Sequence, residues 1–143
     1  MPGSNFWNSL QSLVRGDAQP PRRIGMGMML HHLAASPGRW SGEIVFDPAV
    51  ANNQGIVHGG ALAAILDVAM GYASLTLLGA GDVQRTLEMK INFLRGVPPD
   101  RVLADGEVVR EGGQTVYCEG SVRSSDGDLI ARGSATFYVR REK

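Results

Sequence analysis

Gly59-Gly60-Ala61-Leu62-Ala63-Ala64-Ile65-Leu66-Asp67-Val68-Ala69-Met70-Gly71-Tyr72-Ala73-Ser74-Leu75-Thr76-Leu77-Leu78-Gly79-Ala80-Gly81 holds a single charged side chain, Asp67. The run is long enough to cross a bilayer by length alone. A carboxylate near its middle is costly in hydrocarbon, and no Trp or Lys/Arg belt flanks it closely upstream. The segment therefore predicts a long helix inside a globular protein, apolar nearly all round and so covered on most sides. Gly79 and Gly81 supply its stop.

Downstream the hydrophobic period switches to two. Leu87, Met89, Ile91 and Phe93 alternate with Thr86, Glu88, Lys90 and Asn92. Pro98-Pro99-Asp100 turns the chain into a strand from about Arg101 to Arg110, and Glu111-Gly112-Gly113-Gln114 reads as a hairpin loop. Val116, Cys118, Gly120 and Val122 form one face of the next strand. Ser124-Ser125-Asp126-Gly127-Asp128 turns again, before Leu129, Ala131, Gly133, Ala135, Phe137 and Val139 line the last. Upstream, Trp40, Gly42, Ile44 and Phe46 alternate as a half-buried strand should, and Pro48 closes it. A short strand around Met26–Ala34 is only faintly marked. Phe6, Trp7, Leu10, Leu13 and Val14 lie at helical spacing, and Gly16 and Pro20-Pro21 end that helix. The predicted order is helix, one or two strands, the long helix, then four consecutive strands. That is an α+β fold, a meander of antiparallel strands wrapped round one central helix. Residues 1–23 form an N-terminal helix and connector, and 24–143 the main domain.

The 143 residues suit one such domain, and 43% hydrophobic with 20% charged residues is an ordinary globular balance. Fourteen basic and fourteen acidic side chains cancel, which leaves no global field to draw the chain to nucleic acid or an anionic membrane. The lone cysteine, Cys118, allows no intramolecular disulfide and no thiolate cluster for zinc. These features suit a reducing cytoplasm. Arg22-Arg23 precede an apolar run in the manner of an export signal, but His31 and His32 interrupt it.

Chemistry concentrates on the long helix. His58-Gly59-Gly60 in its first turn would leave unpaired N–H groups at the positive end of the helix dipole, open to close approach by a ligand. Such amides can hold a carbonyl oxygen that becomes an oxyanion. Asp67 is costly in so apolar a segment unless paired or near water; a solvent-edge carboxylate or a buried helix–strand hydrogen bond would serve equally. Gly60, Ala63, Ala64, Asp67, Gly71 and Ser74 fall along one stripe, a close-packing face or a narrow channel beside the carboxylate. Eight residues separate Gly59 from Asp67, about 12 Å at helical rise. If both act on one substrate, they come from different chains related by a two-fold axis.

Asn52-x-x-Gly55-x-x-His58-Gly59-Gly60 followed by Asp67 on the same helix resembles the hot-dog thioesterase superfamily, most closely its phenylacetyl-CoA-type acyl-CoA thioesterases. The resemblance covers nearly the whole chain beyond the first twenty or so residues. It implies an antiparallel sheet around the central helix and hydrolysis of an aryl- or fatty-acyl-CoA to free acid and CoA. Asp67 then matches the catalytic carboxylate, as nucleophile or as general base on water. Gly59 matches the residue whose N–H polarises the thioester carbonyl, with Gly60 beside it, and Asn52 the polar residue near the scissile bond. Thr86 matches a strand hydroxyl near the carboxylate once the preceding loop is adjusted by about one residue.

The resemblance further implies a homo-oligomer, at least a dimer and commonly a tetramer. It needs neither metal nor cofactor, CoA being part of the substrate. Each position also has a plain structural role: Asn52 to brace a turn, His58 to cap or brace the helix entrance, Thr86 to fill a strand, Cys118 to pack the core. Arg95, Arg110, Arg123 and Lys90 are candidates for CoA phosphates and also ordinary surface cations. Two rivals share the fold. A hydratase or dehydratase would show an Asp-x-Asn-x-x-His pattern, absent here. A non-catalytic acyl-CoA binder or sensor would not need Asp67, and no DNA-binding extension accompanies the domain.

Overall fold

A computed structural model describes the backbone of residues 2–143 and the side chains from Trp7 onward. The elements are helix α1 (Pro2–Val14), strands β1 (Arg22–Gly25), β2 (Met28–Ser36) and β3 (Arg39–Phe46), and a 3-10 turn (Pro48–Val50). Helix α2 (Gly59–Leu75) follows, then strands β4 (Val83–Phe93), β5 (Arg101–Glu111), β6 (Thr115–Ser124) and β7 (Leu129–Arg140). All strands join one antiparallel sheet in the order β1-β2-β3-β5-β6-β7-β4. The sheet curls round α2, the α+β hot-dog arrangement expected.

Three local expectations need correction. Three strands precede α2, not one or two: β1 has only four residues, too short and too charged to display an alternation, and Met26 lies in the turn after it. The last four strands are not one meander. β5, β6 and β7 are, but β4 pairs with β7 along its length. The β4–β5 connection carries Pro98-Pro99 and is a crossover, so adjacency in sequence does not give adjacency in the sheet. Helix α2 ends at Leu75, before Gly79. The Thr76 hydroxyl donates to the Ala73 carbonyl at 2.7 Å and accepts from the Gly38 N–H at 2.7 Å. This side chain competes locally for backbone groups and closes the helix first.

What lets the helix lie so close is a row of bare backbone. Gly106, Gly120 and Gly133 stand in register on β5, β6 and β7. A Cβ on Gly106 would sit 2.3 Å from the Ala69 carbonyl oxygen, and one on Gly120 2.9 Å from Met70 Cγ. Around this trough Leu62, Ile65, Leu66, Ala69 and Met70 of α2 share one core with Val102, Val116, Val122, Ala135 and Phe137. Each fully buried large aliphatic contributes roughly 1.5–3 kcal/mol. Cys118 belongs to that core, as its place among apolar positions suggested, and burial pushes its thiol up to about 12. Helix α1 closes the far end: Leu10 and Leu13 are buried, and the Trp7 indole N–H donates to the Leu78 carbonyl at 2.8 Å. The side chain of Phe6 lies outside the described residues.

The sheet covers one side of α2 and leaves the other partly open. Ala63, Ala64, Asp67, Val68, Tyr72 and Leu75 are only half-buried, and the edge strand β4 exposes Leu87 at 60% and Phe93 at 54%. The expectation of a helix covered on most sides is therefore not met within one chain.

Near the C-terminal end of α2, the Trp40 indole N–H donates to Nδ1 of His32 at 3.0 Å, and Tyr72 packs edge-on to Trp40 at 5.2 Å. Burial, with Arg22 nearby, lowers the His32 pKa below its ordinary 6.5. The sign follows: below pH 6.5 the unfolded chain takes up a proton that the folded chain still refuses, so stability falls as the pH drops. Thermal melts should show wild type losing a few °C more than His32→Gln between neutral and mildly acidic pH. Equal losses would remove His32 from the account.

Candidate active site

Strict alternation along β4 would put Thr86 with Glu88 and Lys90 on the outer face. Instead the ladder slips between Thr86 and Glu88: Thr86 pairs with Phe137, Glu88 with Thr136, and Leu87 is the unpaired extra residue. A bulge of this kind re-aims the side chains on either side of it. Thr86 now shares the inner face with Met89, Ile91 and Phe93, and its hydroxyl donates to Asp67 Oδ1 at 2.8 Å. Gln84, on the same face, donates through Nε2 to the Gly71 carbonyl at 3.1 Å. The structure thus brings Thr86 to Asp67 through an irregularity that no hydrophobic pattern announces. Asp67 itself is half-buried.

The loop before α2 is braced by Asn52. Its Oδ1 accepts from Gln54 N–H at 2.9 Å and Ile56 N–H at 3.3 Å, an Asx-type turn. That is the turn-bracing role open to it from sequence, and Asn52 also lines one of the clefts described below. The chain then enters the helix held by Val57 N–H to the Val97 carbonyl at 2.9 Å and His58 N–H to the Val50 carbonyl at 3.2 Å. His58 is the N-cap, but its side chain makes no capping bond; its carbonyl receives the Ala61 and Leu62 amides. The imidazole is exposed and does not cap. Gly59 and Gly60 are exposed too, and among the described residues no acceptor meets their N–H groups. These are the orphan donors every helix start presents, here aimed outward.

Two clefts flank this helix start. One, of about 320 Å³, is lined by Asn52, Gly59, Phe93, Leu94 and Arg95 among others. It gathers three of the residues picked from sequence, with the Phe93 ring 3.5 Å from where a Gly59 Cβ would stand. The Arg95 guanidinium is already paired with Asp128, which fixes it at the cleft rim. The other cleft, of about 550 Å³ and mainly apolar, is lined by Met26, Gly27, Asp47, Ala49, Val50, His58, Gly60 and Ala61. Sequence offered no sign of Met26 or Asp47 here, because the turn that carries them to the helix start is non-local. Arg110 is elsewhere. It lies beyond Val108, whose N–H donates to Gly38, and Gly38 in turn donates to Thr76 at the opposite end of α2. Within one chain Arg110 joins neither cleft, and Asp67 stands two turns from Gly59, about 12 Å along the helix.

With this geometry in hand, the likeness to known proteins is specific. Residues 54–131 match the model of the thioesterase superfamily. A Saccharolobus solfataricus protein provisionally described as an esterase is 33% identical over 106 residues, covering 74% of this chain and 75% of its own. A thioesterase family protein of known structure from Silicibacter pomeroyi is 28% identical with a TM-score of 0.74, over 79% of this chain and 85% of that one. A Bacillus halodurans protein solved with CoA is 30% identical with a TM-score of 0.66, over 69% and 70% of the two chains. The matched span runs from the Asn52 loop through α2 and into β7, and so contains the helix start, Asp67 and Thr86. On these grounds the chain belongs to the thioesterase superfamily and is a thioester hydrolase of the hot-dog fold.

Proposed function

We propose that the protein hydrolyses aryl- or fatty-acyl-CoA thioesters, as a homodimer or a pair of dimers, with each active site shared between two chains. The observation that carries this is the Thr86–Asp67 hydrogen bond on the open face of the helix whose first amides are unpaired. The acyl-CoA class is supported by the Bacillus halodurans relative, which was solved with CoA. In the proposed site the thioester carbonyl rests on the Gly59 N–H, with Gly60 beside it. Asp67 of the partner subunit takes a proton from water, the hydroxide adds to the carbonyl carbon, and the oxyanion is held by the amides until CoA thiolate leaves. Asn52, at the cleft, orients the water or the thioester. Direct attack by Asp67, giving a mixed anhydride that water then opens, is the other form of the step; ¹⁸O incorporated into Asp67 after single turnover in ¹⁸O-water would show that form, with water adding at the Asp67 carboxyl carbon.

Sharing follows from distance, since about 12 Å of helix separates the two groups in one chain. Assembly is supported by the exposed Leu87, Phe93 and Leu94 along an unpaired sheet edge and by the half-open α2 face. Exposed apolar surface of this kind marks association. In a shared site Arg110 serves only if a second chain brings it near, whereas Arg95 and His58 already flank the helix start.

Thiol release from a panel of aryl- and fatty-acyl-CoAs is the test. Turnover of some members supports the activity. Intact substrates throughout, with a folded oligomer, would leave an acyl-CoA binder in its place. Light scattering on the active species checks the assembly, and an active monomer would refute the shared site. Thr86→Val should lower kcat about tenfold with little change in KM, because it loosens the carboxylate without touching the amides. A KM effect alone would assign Thr86 to binding.

A further inference from the structure

We propose that the apolar cleft beside His58 and Gly60 receives the acyl group of the thioester, and that Met26 determines how long an acyl group it accepts. The proposal rests on the thioesterase reaction proposed above. Gly59 lines one cleft and Gly60 the other, so a carbonyl held by their amides has its two substituents directed to different sides. The Gly59 side mixes Asn52 and Arg95 with the apolar Leu62, Phe93 and Leu94, and suits the pantetheine arm of CoA, which is itself part polar and part apolar. The Gly60 side offers Met26, Ala49, Val50 and Ala61 in a space of about 550 Å³, within the range of small-molecule sites.

Met26 itself is out of place on two counts. It is 58% exposed and sits at φ +50, the only non-glycine residue with positive φ among those described. That region crowds the Cβ against the next carbonyl, and glycine or asparagine is the usual choice. Gly25 at φ +85 and Gly27 at φ +68 flank it, so glycine was available to this turn and the middle position still carries a large apolar side chain. Backbone strain with no packing return points to a function.

The turn is also well seated. The Asp47 N–H donates to the Gly27 carbonyl at 2.7 Å, and a Cβ on Gly27 would meet Val50 Cγ1 at 3.0 Å. Asp47 in turn caps the 3-10 turn through Ala49 N–H at 2.8 Å. The backbone is thus fixed against the cleft wall, while the unbranched thioether above it can adapt to what enters.

The experiment is thiol release over a straight-chain series from acetyl- to palmitoyl-CoA, for wild type, Met26→Gly and Met26→Phe, with melts to confirm folding. Met26→Gly should raise kcat/KM for the longest substrates relative to acetyl-CoA by about tenfold, the scale of an apolar pocket contact. Met26→Phe should lower the same ratio. Parallel profiles for all three proteins, with wild type active, would overturn the role of Met26 and leave the reaction standing. A wild type inactive on the whole series and on aryl-CoAs would overturn the reaction, and this proposal with it.

Discussion

Asp67→Asn should leave the fold intact and reduce acyl-CoA hydrolysis by about 10²–10⁴-fold, the range set by loss of a positioned general base. The replacement is close to isosteric, and the Thr86 hydroxyl, now 2.8 Å from Oδ1, can still donate to an amide oxygen. What disappears is the group able to take a proton from water. The Gly59 and Gly60 amides remain, so some catalysis above the solution rate should persist from oxyanion binding alone. Stability should hold, since the amide keeps the shape of the side chain and its hydrogen bond from Thr86. Thiol release, read beside a thermal melt, checks both halves. A folded Asp67→Asn protein with full activity would remove Asp67 from the mechanism.

The largest stability effect should come from adding one methyl group. Gly106→Ala places a Cβ 2.3 Å from the Ala69 carbonyl oxygen and 2.9 Å from the Met70 nitrogen. Both are backbone atoms in the middle of α2, and neither can rotate away as a side chain would. The helix must lift off the sheet, which loosens the packing of Leu66 and Met70 as well. Overpacking costs typically 1–3 kcal/mol, and a clash with the backbone of a packed helix belongs at or beyond the top of that range. For a chain of this size about 3 kcal/mol lowers the melting temperature by about 10 °C. Gly113→Ala is the control, because a Cβ there meets nothing within 4 Å; it should melt within a degree or two of wild type. Equal melting of the two variants would mean the helix is not held as tightly as the row of glycines implies.

Much of this was legible in the sequence, for local reasons. An apolar run of helical length with one carboxylate identifies the central helix and the one charged side chain it carries. Period-two alternation finds β3, β4, β6 and β7, and the turns on either side of it find β5. The failures are non-local or irregular. β4 and β7 pair across the whole second half of the chain, and nothing in either strand names its partner. The bulge at Leu87 reverses the facing of Thr86, so the alternation that located the strand put this hydroxyl on the wrong side. Of the candidate cations, Arg95 lies at the helix start and Arg110 at the far end, a distinction that charge and spacing do not contain. Met26 was passed over because a turn residue shows its neighbours only after the chain has folded back.

The placement of β4 also bears on how the chain is made. On a ribosome it emerges directly after α2, while the strand it pairs with, Leu129–Arg140, is synthesised only after β5 and β6. During that interval Leu87, Met89, Ile91 and Phe93 have no neighbouring strand on either side. Contacts so distant in sequence form slowly, and an apolar strand with two free edges is the species most prone to pair with the wrong chain. A stall or truncation before residue 129 would therefore release a nascent chain with its helix made and its sheet open, a natural client for a holding chaperone.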